Sequence, residues 1–389
     1  MVHRITWVVV LLAVTVSCYS AGTAKDLERA AFQALEQNGA KQAADLFDRI
    51  VRDFPQSAEA PEASLRRAYL AIRLGEPDPQ KLFEKTLASY PDTSKAADAL
   101  RRLGYFSQSN GNLDEAQGYF LQAANHPDQT QAGQAQSLVN YAFLDISKYF
   151  KVGLPESADF AGNSLVPADR KEEAEQRLVS AREKLESVAS DLGHNASTAS
   201  YAAFAKAGIG ETYILEQRWT EAEQVYRSAI TDYSGLHPKL QALLHLGRGV
   251  ALRRLGKATA ARQELGEALD CARLAEQSQE QFPWISLGQV KAEAANVYAL
   301  TTFCSQPPLE AAIVLTQVYQ DLTSSGIPQD ETREWVARVA AWRVIALGRA
   351  GKLSERNEAM KDLFQLFPGT KAANAILARE SKVGQGGDQ

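Results

Sequence analysis

Cysteine is almost missing from this chain: three occur in 389 residues, and past the N-terminal segment only Cys271 and Cys304 remain. Two cysteines without CxxC spacing exclude a disulfide-built scaffold and a thiolate zinc site. Both read as small core residues, and a bridge between them stays open. Histidine is nearly as scarce. His126, His194, His237 and His245 fall at neither HxxxH nor HExxH spacing, which leaves them as loop or surface residues rather than metal ligands. Glycine (25) and proline (14) are few, and alternation of β-branched with polar residues is hard to find, so a sheet has little to build on. Neither sign of charge dominates: 42 Lys and Arg against 47 Asp and Glu leave a net charge of −5. General nucleic-acid binding would need a basic bias that is absent here. No stretch beyond the N-terminus approaches the roughly 20 apolar residues of a membrane-spanning helix.

What is present is alanine, aliphatic residues and helical spacing. The chain is 45% hydrophobic and 8% aromatic, enough for a sizeable core and too apolar for a disordered chain. The N-terminus stands apart. His3 and Arg4 precede an apolar run from Ile5 to Val16, followed by Ser17, Ser20, Ala21 and Gly22. A run of about a dozen apolar residues behind basic ones has the form of an export signal. Cys18 after Thr15, Val16 and Ser17 is similar to a bacterial lipobox, although the position three before the cysteine departs from the usual Leu, Val or Ile. Two fates remain open: lipidation at Cys18, or cleavage near Ser20 or Ala24. Both place the bulk of the chain outside the cytoplasm, periplasmic or membrane-anchored facing the periplasm, with membrane contact only through a lipid at Cys18.

Residues 103–127, LGYFSQSNGNLDEAQGYFLQAANHP, show the internal pattern. Leu100, Leu103, Gly104 and Ser107 recur at three- and four-residue steps, and so do Ala116, Tyr119, Phe120 and Ala123. Each half buries one face of a helix. Between them Ser109, Asn110, Gly111 and Asn112 form a turn in which Gly111 supplies the positive φ that ends a helix. The pattern returns at residues 206–229, with Ile209, Gly210, Tyr213, Ala222, Tyr226 and Ala229 at matching offsets. A third copy at 245–268 carries Gly249, Gly256, Ala261, Leu265 and Ala268. Other copies share their ends: Phe54-Pro55, Tyr90-Pro91 and Phe367-Pro368 are each followed, after one residue, by Ser57, Thr93 and Thr370. Proline stops the outgoing helix, and the hydroxyl is placed to cap the next.

These features resemble the tetratricopeptide repeat, a helix-turn-helix unit of about 34 residues with a small residue in its first helix, Gly near the turn, and Ala, aromatic, Ala in its second. The resemblance spans most of residues 25–380 and implies an all-α fold, a right-handed α-α superhelix of about seven to eight helical hairpins, some degenerate. The second-helix anchors are Phe47, Phe83, Phe120, Leu178, Tyr226, Leu265, Leu315 and Met360. The implied division is a leader at 1–24, N-terminal repeats at 25–130, a degenerate repeat at 131–200 with an inserted loop at 151–170, C-terminal repeats with a capping helix at 201–380, and a disordered tail at 381–389.

No convergent set of reactive residues emerges, so neither a catalytic site nor a metal or cofactor site is expected. GIGET at 208–212 is superficially like a phosphate loop but lies within a helix with no preceding strand, and helix packing explains it. Asn195-Ala196-Ser197 matches a glycosylation sequon without a context that would use it. Charge runs at 169–177 and 180–187 pair opposite signs at helical neighbours and read as solvated faces.

In the repeat family the first helix lines the concave groove through its fifth, sixth, ninth and thirteenth positions. By that resemblance the groove residues here are Arg101, Arg102, Tyr105 and Ser109, with Arg66, Tyr69 and Arg73 in the preceding repeat. Arg and Tyr are hot-spot residues for protein partners. The same residues also suit inter-repeat packing and solubility. The Lys-Asn carboxylate clamp of chaperone-binding members is missing. The expected function is thus a non-catalytic scaffold of the bacterial cell envelope that binds protein or peptide partners, with a place in envelope or outer-membrane assembly as the narrower expectation. Two alternatives stand beside it. One is an envelope enzyme or small-ligand binder using the inserted loop near Asp159 and Asn163. The other is a structural homo-oligomer built on the terminal helix.

Overall fold

The computed structural model describes residues 23–153, 170–192, 195–278, 285–324, 326–329 and 332–385. Cys18, Asp159 and Asn163, and with them the leader and most of the inserted loop, lie outside the described residues. Those residues form helices and no strands. They group into two compact units, Met1–Asn112 with Asn125–Gln129, and Leu113–Ala124 with Thr130–Gln389.

The first unit contains α1 (Ala24–Glu36), α2 (Ala40–Asp53), α3 (Ala60–Leu74), α4 (Pro79–Ser89) and α5 (Ser94–Ser109). The second begins with α6 (Leu113–Ala124), α7 (Gln131–Gly153), α8 (Lys171–Leu192), α9 (Ala199–Leu215), α10 (Trp219–Asp232) and α11 (Pro238–Arg254). It continues through α12 (Ala258–Glu276), α13 (Leu287–Ser305), α14 (Pro308–Thr323), α15 (Thr332–Arg349), α16 (Leu353–Leu366) and α17 (Lys371–Gln385). Within each unit α1 to α5, and α6 to α16, pack on their neighbours in sequence, and odd-numbered helices also touch one another: α3 on α5 in the first unit, α7 on α9 and onward to α17 in the second. In the second unit the result is a row of touching first helices from α7 to α17.

Every even helix but α4, where Pro79 stands one turn before the buried Phe83, is held by the same device. An alanine sits one turn before a large side chain, and both are buried: Ala43 and Phe47, Ala116 and Phe120, Ala222 and Tyr226, Ala261 and Leu265. The small residue lets the partner helix approach, and the large one fills the space beyond it. In α16 the device is Ala359 with Leu363, both buried, while Met360 is only half-buried. The anchor expected at Met360 is therefore corrected to Leu363, the residue one full turn after the alanine.

The ends of the repeats are equally regular. Phe54, Tyr90 and Phe367 cap α2, α4 and α16 with φ/ψ of −136/51, −135/51 and −126/45°. The hydroxyls that follow do not all cap the next helix. Thr370 Oγ1 accepts from the Ala373 N–H at 3.2 Å, whereas Thr93 donates back to the Tyr90 carbonyl at 2.9 Å and makes no cap. Ser57 Oγ is buried without a partner. Proline and geometry end these helices; the hydroxyl is a variable addition.

α17 reaches Gln385, past the start expected for a disordered tail at 381. Cys271 and Cys304 are free thiols, and Cys304 is exposed rather than a core residue. It follows α13's last buried positions, Thr301 and Thr302, where the helix leaves the core.

Within the hairpins a second regularity carries a prediction. Asn112, Arg218, Lys257 and Lys352 donate their N–H to the carbonyls of Ser107, Tyr213, Leu252 and Leu347 at 2.8–2.9 Å. This closure places the preceding residue in the left-handed region. Three of those residues are Gly111, Gly256 and Gly351; the fourth is Gln217, at φ 60°. Gln217 is exposed and has no stabilising role that offsets the Cβ crowding. Gln217→Gly is expected to raise stability by about 0.5 to 1 kcal/mol, and Gln217→Val to lower it, in equilibrium urea unfolding.

Candidate functional site

α9 is a helix without a polar face. Its buried residues include Ala202, Ala205, Ala207, Gly208, Gly210 and Thr212, because α7, α8, α10 and α11 all pack on it. A helix apolar all round belongs inside. Its glycines answer to particular neighbours. A Cβ at Gly208 would lie 2.7 Å from the Phe143 ring, and one at Gly210 would lie 2.5 Å from the Tyr226 ring. On α11 a Cβ at Gly247 would come closer still to the same ring. Tyr226 thus passes from α10 between two bare stretches of backbone, and its hydroxyl donates to the Ala207 carbonyl at 3.1 Å. GIGET is helix packing, as expected, but one of its residues is not.

That residue is Glu211. It opens into a recess of about 530 Å³ lined by α7, α9, α11 and the start of α13, with Tyr226 contributing from behind. The walls are mainly apolar, with Phe204, Leu246, Val250 and Ile285 among them. Glu293 of α13 is a second carboxyl in the same recess, and Gln289 adds an amide. Both glutamates are half-buried and neither makes a hydrogen bond or ion pair within the described residues. Burial, reinforced by the charge of Glu293, pushes the Glu211 carboxyl up to about 7 from 4.5. Burial also raises Glu293, opposed by the field of Arg338 on α15, which is itself paired with Glu334. The Tyr226 phenol is pushed well above its ordinary value by burial and then by the two carboxylates.

Other buried and half-buried acids of this unit are treated differently. Glu223 of α10 accepts from Arg227 and from Arg248 of α11, and Arg248 also reaches Glu264 of α12 at 2.7 Å. His245 joins Glu264 at 2.7 Å. Asp145 of α7 accepts from Lys184, Ser180 and Gln117, which together hold its carboxyl below the usual range against its burial. Acids between repeats are paired, whereas the two in the recess are not.

The residues expected in a groove lie on α3 and α5. Arg66 is exposed, bonded to Glu62 Oε1 at 2.6 Å, with its guanidinium 5.9 Å from the Phe32 ring. Arg102 lies over Tyr69 at 5.1 Å, and Tyr69 meets Phe83 edge-on at 5.2 Å. Arg101 is half-buried and pairs with Asp98 of its own helix. Tyr105 is half-buried, while Arg73 and Ser109 are exposed. Tyr69 and Arg102 therefore have packing partners inside the unit, and Arg66 and Arg73 face outward. The described histidines each have a hydrogen-bond partner: His237 caps α11 through Nδ1, which accepts from the Lys239 N–H at 3.1 Å, His126 meets the Pro91 carbonyl and His245 meets Glu264. No cluster of His, Cys, Asp and Glu able to hold a metal occurs among the described residues, and no helix there is long and apolar enough to cross a membrane.

Comparison with known proteins bears on the fold. Residues 216–278 match the tetratricopeptide repeat family model. No curated protein is detectably similar in sequence. Among solved structures, the apo form of RapI is 11% identical, covers 94% of this chain and 99% of its own, and has a TM-score of 0.56. A STAND signal transduction ATPase with a tetratricopeptide repeat sensor, from Pyrococcus horikoshii, is 12% identical over 93% of this chain, with a TM-score of 0.51. This chain spans about half of that ATPase, 52% of its length. A tetratricopeptide repeat protein from Parabacteroides merdae is 10% identical, covers 81% of this chain and 98% of its own, and has a TM-score of 0.49. The all-α repeat solenoid expected from the sequence is the fold found.

The unpaired acids generate a pH prediction. A carboxyl whose folded-state value is raised contributes no penalty below about 4.5 and a growing one as pH rises through about 7. Glu211→Gln removes that penalty. It is expected to raise stability at pH 8 by on the order of 2 kcal/mol, discounted for the open mouth of the recess, and to leave stability at pH 4 unchanged. Urea unfolding at both pH values checks it.

Proposed function

We propose that this tetratricopeptide repeat protein is a non-catalytic scaffold that holds segments of partner proteins along the row of odd-numbered helices in its second unit. One observation carries the reading: a preformed recess of about 530 Å³ opens on that row, drawing its walls from several consecutive hairpins. Core packing leaves few voids larger than a water molecule, so a recess of this size is a place for something else. Binding pockets of a few hundred Å³, mostly apolar with a few convergent polar groups, are the usual form for ligand sites.

In the N-terminal unit the corresponding positions are Arg66, Tyr69 and Arg73 on α3 with Arg101, Arg102, Tyr105 and Ser109 on α5, and we assign them as a second contact set. Arg and Tyr combine charge-assisted bonding with apolar area. The setting proposed is the bacterial cell envelope, after export. The basic His3 and Arg4 followed by the apolar run Ile5 to Val16 support export, and Cys18 supports a lipid anchor. A part in envelope or outer-membrane assembly is the narrower form of the same proposal.

The test places a photo-cross-linking amino acid at Val250, in the recess, and separately at Leu274, an exposed position on α12. The full-length chain is expressed in bacterial cells. Discrete protein adducts are expected from Val250 and not from Leu274, in the membrane or periplasmic fraction. Adducts from both positions alike, or from neither, would refute the scaffold reading.

A further inference from the structure

Among the described residues the recess holds two carboxyls that no hydrogen bond or ion pair matches, with only the field of Arg338 acting on one of them. Glu211 and Glu293 project into one apolar space from α9 and α13 without a hydrogen bond or ion pair, while Glu223, Glu264 and Asp145, at similar or greater burial, are each matched to a cation. We propose that this recess seats a lysine or arginine side chain flanked by apolar residues, from a segment of a partner protein, with the Glu211 and Glu293 carboxylates holding its charge. The proposal rests on the scaffold reading and names the chemistry of the segment.

Four features fit that occupant. The carboxylates supply acceptors that a guanidinium or ammonium would satisfy by charge-assisted bonds. Gln289 also lines the recess, and its amide oxygen is a neutral acceptor. Apolar walls from Phe204, Leu246 and Val250 suit the aliphatic stem of a long basic side chain, which buries its methylenes and keeps its head on the acids. The volume exceeds that of one side chain and leaves room for the apolar neighbours of the basic residue.

Other occupants fit less well. A free carboxylate terminus would meet like charge. A hard divalent cation wants six or more oxygen ligands, and the described lining offers two carboxyls, one amide and the hydroxyls of Ser286 and Tyr226, the first already bonded to the Gln289 N–H and the second to the Ala207 carbonyl. The unoccupied recess also carries a cost, since two carboxyls are held out of water without partners. A site kept at such a cost to the resting fold is characteristic of binding surfaces.

Calorimetry on the full chain at pH 8 tests this with an eight-residue peptide in which one arginine is set among leucine and alanine. The control is the same peptide with neutral citrulline. The arginine peptide is expected to bind at least tenfold more tightly, and the preference is expected to vanish in the E211Q/E293Q variant. That variant should keep its helical circular dichroism and melt no lower than the parent. The groups facing the two acids among the described residues are Tyr226 from α10, whose phenol burial holds well above its ordinary value, and Arg338 from α15. The preference should therefore shrink at pH 5, as the carboxyls take up protons. Equal binding of the two peptides to the parent protein, absent binding included, overturns the proposal, and so does a preference that survives in E211Q/E293Q. Competition by millimolar calcium chloride overturns it in favour of a metal. Adducts from the Val250 cross-linker that persist unchanged in E211Q/E293Q would leave the scaffold standing and remove the cation; loss of adducts from the parent protein removes the scaffold itself.

Discussion

The close approach of each second helix to the first helices beside it is the constraint on which the rest of the structure depends. A large side chain one turn after an alanine fits only if the facing backbone is bare or nearly so, and the chain supplies glycine or alanine there. Leu265 occupies the space a Cβ at Gly249 would need, at 2.6 Å, and Leu185 does the same at Gly208, at 2.8 Å. Once these contacts are made, the first helices are drawn into mutual contact, and α9, α11 and α13 become a continuous row. Tight packing at interlocking positions transmits shape from hairpin to hairpin without long-range pairing.

Tyr226 shows how the same device produces a site. The Tyr226 ring is larger than the leucine anchors Leu265 and Leu363, and it fills the space beside two glycines, Gly210 and Gly247, on two different helices. Its hydroxyl then finds the Ala207 carbonyl, which α9 already commits to its own helix. With side chains removed at Gly210 and Gly247, the space beyond the ring is bounded by residues farther along α9, α11 and α13. Two of those residues are glutamates. The recess is a by-product of packing geometry, and its charge is a choice of residue.

Much of this was legible in the sequence. Phe47, Phe120, Tyr226 and Leu265 could be read as anchors because volume and spacing alone define them, and the left-handed turn at Gly111 because only a few residue types tolerate it. Leu363 was hidden behind Met360, since both are apolar and only the distance from Ala359 separates them. Thr93 and Thr370 share a motif and both donate to the carbonyl of the aromatic three residues before, but only Thr370 also accepts from the next helix, a difference set by local backbone. Glu211 was visible as a letter of GIGET, but its role depends on Glu293, two hairpins later, and on the absence of any cation between them. An absence of pairing in space has no linear signature. The arginines and tyrosines of α3 and α5 illustrate the converse: their positions follow from the repeat, yet Tyr69 is engaged by Phe83 and Arg102, contacts that a position count cannot foresee.

Set side by side, the two treatments of acids in the C-terminal unit point to one division of labour. Between α10, α11 and α12 the acids and arginines alternate as Glu223, Arg248 and Glu264, so that each charge leaving water meets another and the hairpins are locked in register. Such pairing is costly to break because the surviving charge is stranded. The recess presents that stranded condition as its resting state. Two carboxyls without counterions are held on a rigid row whose geometry is fixed by side chains elsewhere, so the local penalty does not relax by rearrangement. A ligand that supplies positive charge relieves the penalty and gains contact with the apolar walls in the same step. The affinity of such a site comes from strain already present in the empty protein as much as from new contacts, and its selectivity comes from the fact that only a cation can relieve it.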